Sequence, residues 1–258
     1  MALITCLSFL ALPSCQKDEL NPDSIADTSP SASAKKVKIT GKVKDVDGNW
    51  YKTVKIGGQW WMAENLKTTR YNDKTIIPNL TFDSDWIAED GTEGHNGAYC
   101  WYDNEITNKA TYGALYNWYA VNTGNLCPID WHVPTDEEWH TLILYLDGSA
   151  SLDDPSYIES YIAGDKLKEA GYAHWVIPYS YPDYQGGTNE SGFTALPGGW
   201  RDYNGTFINI GYYCTMWSYA VASSYESRYR YMGYSYSVIV RSSIYRYGGL
   251  SVRCVRDY

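Results

Sequence analysis

The stretch Trp131-His132-Val133-Pro134-Thr135-Asp136-Glu137-Glu138-Trp139 reads as the start of a helix laid against a β-rich core. Thr135 can accept from the backbone N–H three residues on, and Glu138 can reach back to the Thr135 N–H, which is the reciprocal capping box. Pro134 is placed to pack on Trp139 as a hydrophobic staple. Trp139, Leu142, Ile143 and Leu146 then recur at three-to-four spacing as one apolar stripe, and Gly148 ends the pattern. Asp136, Glu137 and Glu138 resemble a catalytic acidic cluster, but the first turn of a helix favours carboxylates electrostatically, so they are read as helix-start residues.

Upstream, Lys38 to Val46 and Trp50 to Ile56 alternate as strands about the hairpin turn Asp47-Gly48-Asn49. Gly57-Gly58 turns the chain again into Gln59-Trp60-Trp61-Met62-Ala63. Thr75 to Gly97 is irregular and acidic and reads as a solvated loop, since its spacing matches no EF-hand. A helix is predicted over Ala110 to Asn122, stopped by Gly124, and a shorter one over Asp165 to Ala170. Downstream of Thr188, turns and strands return. Arg228-Tyr229-Arg230-Tyr231 should set guanidiniums on one strand face and phenols on the other.

Composition narrows the function classes. Of 258 residues, 26 are Tyr and 11 Trp against 4 Phe, which favours aromatic side chains with a polar handle on half-exposed surfaces. A net charge of −9 argues against nucleic acid as a partner and against docking on anionic lipid. Cys100, Cys127, Cys214 and Cys254 form an even set open to three disulfide connectivities. No CxxC pair occurs, and His95, His132, His140 and His174 lack zinc-ligand spacing, so no metal or other cofactor is expected. No catalytic residue is assigned: His132 is read as packing in the Trp131–Pro134 turn and His140 as lying on an exposed helix face.

The amino-terminal reading concerns location. Ala2 to Leu12 is a short apolar run broken at Pro13-Ser14 before Cys15, the pattern of a secretory segment too short to span a bilayer. It resembles a bacterial lipobox, which makes 1–14 a signal peptide and Cys15 the lipidation site. Residues 15–36 read as a flexible linker and 37–258 as one domain. Lys17-Asp18-Glu19 resembles the export signal of Bacteroidetes surface lipoproteins, and Asp23-Ser24-Ile25 the O-glycosylation site of that phylum. The expected location is the outer membrane, lipid-anchored and facing the exterior, with no membrane contact beyond the anchor.

Taken in order, the motifs resemble the family called the Fibrobacter succinogenes major paralogous domain. The resemblance rests on Asp47-Gly48-Asn49, Val54-Lys55-Ile56-Gly57, Gln59-Trp60-Trp61-Met62-Ala63-Glu64-Asn65-Leu66, Ala98-Tyr99-Cys100-Trp101-Tyr102 and Tyr112-Gly113-Ala114-Leu115-Tyr116-Asn117-Trp118. It continues through Cys127-Pro128, Trp131-His132-Val133-Pro134-Thr135, Asn189-Glu190-Ser191-Gly192-Phe193, Leu196-Pro197-Gly198-Gly199 and Ser251-Val252-Arg253-Cys254-Val255-Arg256. The likeness implies an α+β, C-type-lectin-like fold in the version shared with formylglycine-generating enzymes. It implies a Cys127–Cys254 disulfide and offers Cys100 with Cys214 as a second, although Cys214 stands where family members often carry another residue. The neighbouring cysteines of a formylglycine-generating enzyme are missing. So are the Glu-Pro-Asn, Gln-Pro-Asp and Trp-Asn-Asp triplets of calcium-dependent lectins.

The expected function is binding or adhesion, with glycan first among ligands and a cell-surface protein second. An enzyme acting on a surface substrate and a structural or assembly component are the alternatives. The expected contact residues are Trp175, Tyr179, Tyr181 and Tyr184, in a long Pro- and Gly-bearing loop where rings either stack on sugars or pack back to fix the loop.

Overall fold

The computed structural model describes residues 38–88 and 97–256. The leader, Cys15 and the linker lie outside them, as do Glu89, Asp90, Glu93 and His95 of the acidic stretch. Strands along the chain are β1 (Thr40–Lys44), β2 (Trp50–Ile56), β3 (Gln59–Met62), β4 (Tyr99–Cys100), β5 (Leu115–Tyr116), β6 (Ile158–Ser160), β7 (Gly198–Arg201), β8 (Phe207–Ile210), β9 (Tyr213–Val221), β10 (Glu226–Gly233), β11 (Ile239–Tyr245) and β12 (Val255–Arg256). Helices are few and short: α1 (Asp83–Ala88), α2 (Lys109–Tyr112), α3 (Trp118–Asn122), α4 (Asp136–Leu146) and α5 (Ala163–Leu167).

Two four-stranded sheets, ordered β1-β2-β3-β12 and β6-β11-β10-β9, carry the fold, and β4-β5 and β7-β8 form two-stranded ladders. Every ladder between these strands is antiparallel. Antiparallel sheets with a few short helices are compatible with the α+β expectation. The first sheet forms as its local sequence dictates. Gly48, at φ +89°, lets the Gly48 N–H reach the Asp45 carbonyl at 3.1 Å, while the Asp45 carboxylate accepts from Asn49 N at 2.8 Å and from the Tyr51 hydroxyl at 2.5 Å.

Helix α4 has the predicted capping box. The Thr135 hydroxyl accepts from Glu138 N at 3.2 Å, and Glu138 Oε2 accepts from Thr135 N at 2.8 Å. Its stripe buries Trp139 against Trp61 of β3, with ring centroids 4.8 Å apart, and both rings meet Phe193 at 5.8 and 5.7 Å. These three rings join the first sheet, the helix and the segment ahead of β7.

Other expectations are corrected. The helix expected over Ala110–Asn122 is two short helices separated by β5. Gly113 sits at φ +73°, Leu115–Tyr116 pairs with Tyr99–Cys100, and the Asn117 side chain accepts from Ala120 N to start α3. Strand pairing with a distant segment outweighs helical spacing there. The third helix runs Ala163–Leu167 rather than Asp165–Ala170, because Lys168 turns extended and bridges Ala195. The irregular acidic stretch contains α1, whose Trp86 is buried and donates from Nε1 to the Tyr247 carbonyl at 2.7 Å.

Cys127 and Cys254 form a disulfide across 127 positions of chain, worth about 4–5 kcal/mol on the loop-entropy model. Cys100 and Cys214 do not form the second bridge. Cys100 packs with Trp86, Tyr102 and Leu115, whereas Cys214 lies in the separate cluster around Trp61 and Trp139. Burial pushes both thiols up to about 12, so they stay protonated at neutral pH. Without reductant, alkylation should therefore label Cys100 and Cys214 only once the domain is unfolded. It should leave Cys127 and Cys254 unlabelled throughout, and peptide mapping that finds a labelled Cys127 contradicts the pairing.

The second sheet is fastened to α4 by a buried ionic network. Arg230, with no solvent exposure, donates from Nε to Glu159 Oε2 at 2.9 Å and from Nη1 to Asp136, and Arg241 Nε reaches Asp136 Oδ2 at 2.6 Å. Burial pushes the Asp136 carboxyl up, but the two guanidiniums outweigh it and hold it below the usual carboxylate range. A carboxyl with a depressed folded-state value stabilises the fold above its ordinary value of 3.8, and that contribution is lost as pH falls through the folded-state value. Asp136→Asn should cost about 3 kcal/mol at neutral pH and flatten the acid limb of stability against pH, read by urea unfolding across the acid range.

Candidate functional site

The second sheet presents two chemically different faces because β10 alternates. Arg230 points into the ionic network, and Tyr229 and Tyr231 occupy the opposite face. Register supplies their neighbours: Tyr231 stands across from Thr215 of β9, and Tyr229 across from Ser242 of β11. Tyr213, two residues before Thr215, shares that face. Trp200 of β7 and Asn209 of β8 complete the wall of an open cleft of about 300 Å³.

Close backbone approach places Trp200. Gly199 lies at φ +61°, and a Cβ there would sit 2.5 Å from the Ile208 carbonyl and 2.6 Å from Ile210 N, so a side chain would force β7 off β8. The Thr215 hydroxyl donates to the Gly199 carbonyl at 2.9 Å and ties the pair to β9. Asn209 adopts φ +66°, an arrangement asparagine tolerates, and its carbonyl accepts from Tyr212 N at 3.1 Å as the chain turns into β9.

The rings form a connected set. Trp200 meets Tyr213 edge-on at 6.0 Å, Tyr213 meets Tyr231 edge-on at 5.9 Å, and Tyr231 stacks with Tyr229 at 5.9 Å. Each is half-buried, leaving ring surface open to the cleft. Burial, only partly offset by the Ser242 hydroxyl, pushes the Tyr229 phenol up to about 12. Burial, then the nearby Tyr213, also raises that of Tyr231. Both phenols are therefore neutral hydrogen-bonding groups at physiological pH. Among the described residues, no carboxylate, histidine or cysteine lines the cleft, and neither the Asn209 carboxamide nor the Trp200 indole N–H has a hydrogen-bond partner. Such a wall can stack on a ligand and exchange hydrogen bonds with it, but it offers no acid, base or nucleophile that titrates near neutrality.

A family model described as the Fibrobacter succinogenes major domain matches residues 54–256. The chain belongs to that family. Neither the curated proteins nor the solved structures provide a match. The matched span contains every residue of the aromatic cleft.

In this Fibrobacter succinogenes major domain the expected contact loop divides. Trp175 is buried, donates to the Ala195 carbonyl at 3.3 Å and lies under the Lys168 ammonium, 5.4 Å from its ring centroid. Tyr184 hydrogen-bonds Asp165 and Lys168. Trp175 packs into the core and the half-buried Tyr184 is held by its hydroxyl, the arrangement in which rings pack back to fix the loop. Tyr179, 98% exposed, and Tyr181, 58% exposed, stand at its tip. The sequence reading missed Trp200, Tyr213 and Asn209, whose role depends on strand register; the one local signal was the Tyr229–Tyr231 alternation.

The described histidines of the family member are each paired with a carboxylate outside the cleft. His132 Nε2 lies 2.5 Å from Glu138 Oε1, His140 Nδ1 2.8 Å from Glu159 Oε1, and His174 Nδ1 2.9 Å from Glu169 Oε1. His140 is thus held by the buried network and is not simply an exposed helix residue. The phenol of Tyr229 gives the cleft a spectroscopic handle. An alkaline absorbance titration of the native chain minus that of Tyr229→Phe should isolate a phenol ionising near about 12, and a difference curve centred at 10 would show an open ring instead.

Proposed function

We propose that this domain is a binding module displayed outside the cell, with a glycan as its ligand and the Trp200–Tyr213–Tyr231–Tyr229 cleft as its site. The observation that carries the reading is a ring-lined cleft with, among the described residues, no carboxylate, histidine, lysine or arginine in its wall. Aromatic faces carry negative quadrupole density that attracts the weakly positive C–H patches of a sugar face. The free carboxamide of Asn209 and the Trp200 N–H can exchange hydrogen bonds with sugar hydroxyls. A volume of about 300 Å³ falls at the small end of ligand sites.

The display context is part of the same proposal. The lipobox-like sequence around Cys15 supports a lipid anchor on the outer membrane, and the Cys127–Cys254 bridge suits an oxidising compartment. A C-type-lectin-like architecture fits two antiparallel sheets with short helices and a bridge ending at the terminal strand segment. A cell-surface protein is the second candidate ligand, favoured by the exposed Tyr219, Tyr225 and Tyr245 at the far end of the second sheet.

Glycan-array binding by the intact chain tests this. Trp200→Ala and Tyr231→Ala should each weaken binding tenfold or more, about 1.4 kcal/mol, while Tyr179→Ala and Tyr181→Ala leave it unchanged. Affinity should be flat from about pH 6 to about pH 8, because no carboxylate, histidine or cysteine among the described residues lines the cleft. Binding lost in Tyr179→Ala and kept in Trp200→Ala would move the site to the loop.

A further inference from the structure

A larger groove, about 610 Å³, opens on the first sheet well apart in composition from the aromatic cleft; no residue lines both. Its rim carries Lys38, Lys42, Lys52 and Lys67. Among the described residues none of these four ammonium groups has an ion pair. Lys38 donates to the Asn189 carbonyl at 2.6 Å, and Lys67 lies 5.3 Å from the Tyr51 ring centroid.

Both acids that line the groove, Glu64 and Glu169, are engaged by neighbouring groove residues. Glu64 Oε2 accepts from the Lys52 backbone N–H at 3.1 Å, and Glu169 is held by His174. Beneath the floor, the buried Arg253 guanidinium donates to Asn65 Oδ1 at 2.9 Å and to the Thr194 carbonyl at 2.7 Å, both groove residues. Positive charge therefore lies on the rim and under the floor of one groove, in a chain whose net charge is −9.

Register sharpens the point. Lys42 and Lys52 are direct cross-strand partners, so their side chains leave the same face side by side, and like charges directly opposite destabilise a sheet. Protection of an edge strand explains Lys42 and Lys44 on β1. It does not explain Lys52, which lies on the inner strand β2, or Lys67, which follows β3. An anion between Lys42 and Lys52 would turn the repulsion into attraction.

We propose that this groove binds an acidic polysaccharide, with a sulfate or carboxylate seated between Lys42 and Lys52. The remaining lining fits that class better than an acidic peptide. Thr40 and Thr111 supply hydroxyl groups for a hydroxyl-rich chain, and among the described residues no Phe, Tyr or Trp ring lines a hole that could anchor a peptide side chain. Lysines act as orientation-tolerant point charges, which suits a repeating anion more than the bidentate fork of arginine would.

The test titrates the intact chain by calorimetry with dextran sulfate, polygalacturonate, neutral dextran and poly-glutamate. Dextran sulfate or polygalacturonate should bind, with affinity falling steeply as salt rises, and neutral dextran should not bind in this groove. Binding of the sulfated probe alone assigns sulfate, and of the carboxylated probe alone assigns carboxylate; either supports the site. Lys42→Gln with Lys52→Gln should weaken binding at least tenfold without lowering the urea midpoint. The charge-matched pair Lys44→Gln with Lys74→Gln, outside the groove, should change it less than twofold. Trp200→Ala should leave it intact, so failure of the aromatic cleft and failure of this groove are separable. Equal losses from the two lysine pairs, preferential binding of poly-glutamate, or no binding of either acidic polysaccharide at physiological salt would overturn the proposal.

Discussion

Three guanidiniums with no solvent exposure, those of Arg201, Arg230 and Arg253, hold together a fold in which much of the chain runs outside strands and helices. Backbone carbonyls in such segments have no ladder to satisfy them, and a buried carbonyl without a donor is costly. Arginine supplies five N–H donors in a fixed plane. Arg201 gives hydrogen bonds to the carbonyls of Leu80 at 2.7 Å and Gly205 at 2.9 Å and pairs with Asp83 at 2.7 Å, while its plane lies 4.6 Å from the centre of Trp86. Arg253 does the same for Phe193 and Thr194 and lies 4.3 Å from the Phe193 ring centre. Removing either would strand several buried acceptors at once. Lysine could not replace them, since its ammonium is a point donor without a stacking face.

The third guanidinium links scaffold to site. Arg230 and Tyr231 are adjacent on β10, so the network that clamps one face of the strand also sets the height and angle of the rings on the other. A register shift between Ser227 and Tyr229 separates the hairpin end from the stretch that carries the cleft. Rings held by a buried ionic clamp and by their edge-on neighbours have little rotamer freedom left to lose. Pre-organisation of that kind lowers the ordering cost that any ligand of a shallow cleft would have to meet.

What could be read from the sequence was local. The capping box at Thr135 and Glu138, the Asp47-Gly48-Asn49 turn and the Arg–Tyr alternation each depend on residues within a few positions of one another, and each is found in the structure. Where distant segments compete, local spacing misleads. Ala110–Asn122 has helical periodicity, yet Leu115–Tyr116 is taken by β4, and of the aromatics in the Trp175 loop Trp175 packs inward while Tyr179 and Tyr181 stay exposed. The cysteine count left the connectivity open, and burial in two different clusters keeps Cys100 from Cys214. The aromatic cleft draws on four strands beyond β10, namely β7, β8, β9 and β11, and no sequence window contains it.

Charge arrangement separates the two candidate surfaces more clearly than shape does. A chain of net charge −9 repels polyanions at a distance, but at physiological salt that repulsion is screened beyond about 8 Å. Inside that range only nearby groups matter, and around the groove they are four ammonium groups and one buried guanidinium against two carboxylates already engaged. The aromatic cleft has no such local field, because no lysine, arginine, histidine or carboxylate among the described residues lines it. Overall acidity can therefore keep the surface free of indiscriminate polyanion adsorption while one groove remains attractive at contact distance. As proposed sites the two surfaces would select by different physics, one through ring stacking and the other through short-range attraction that salt weakens.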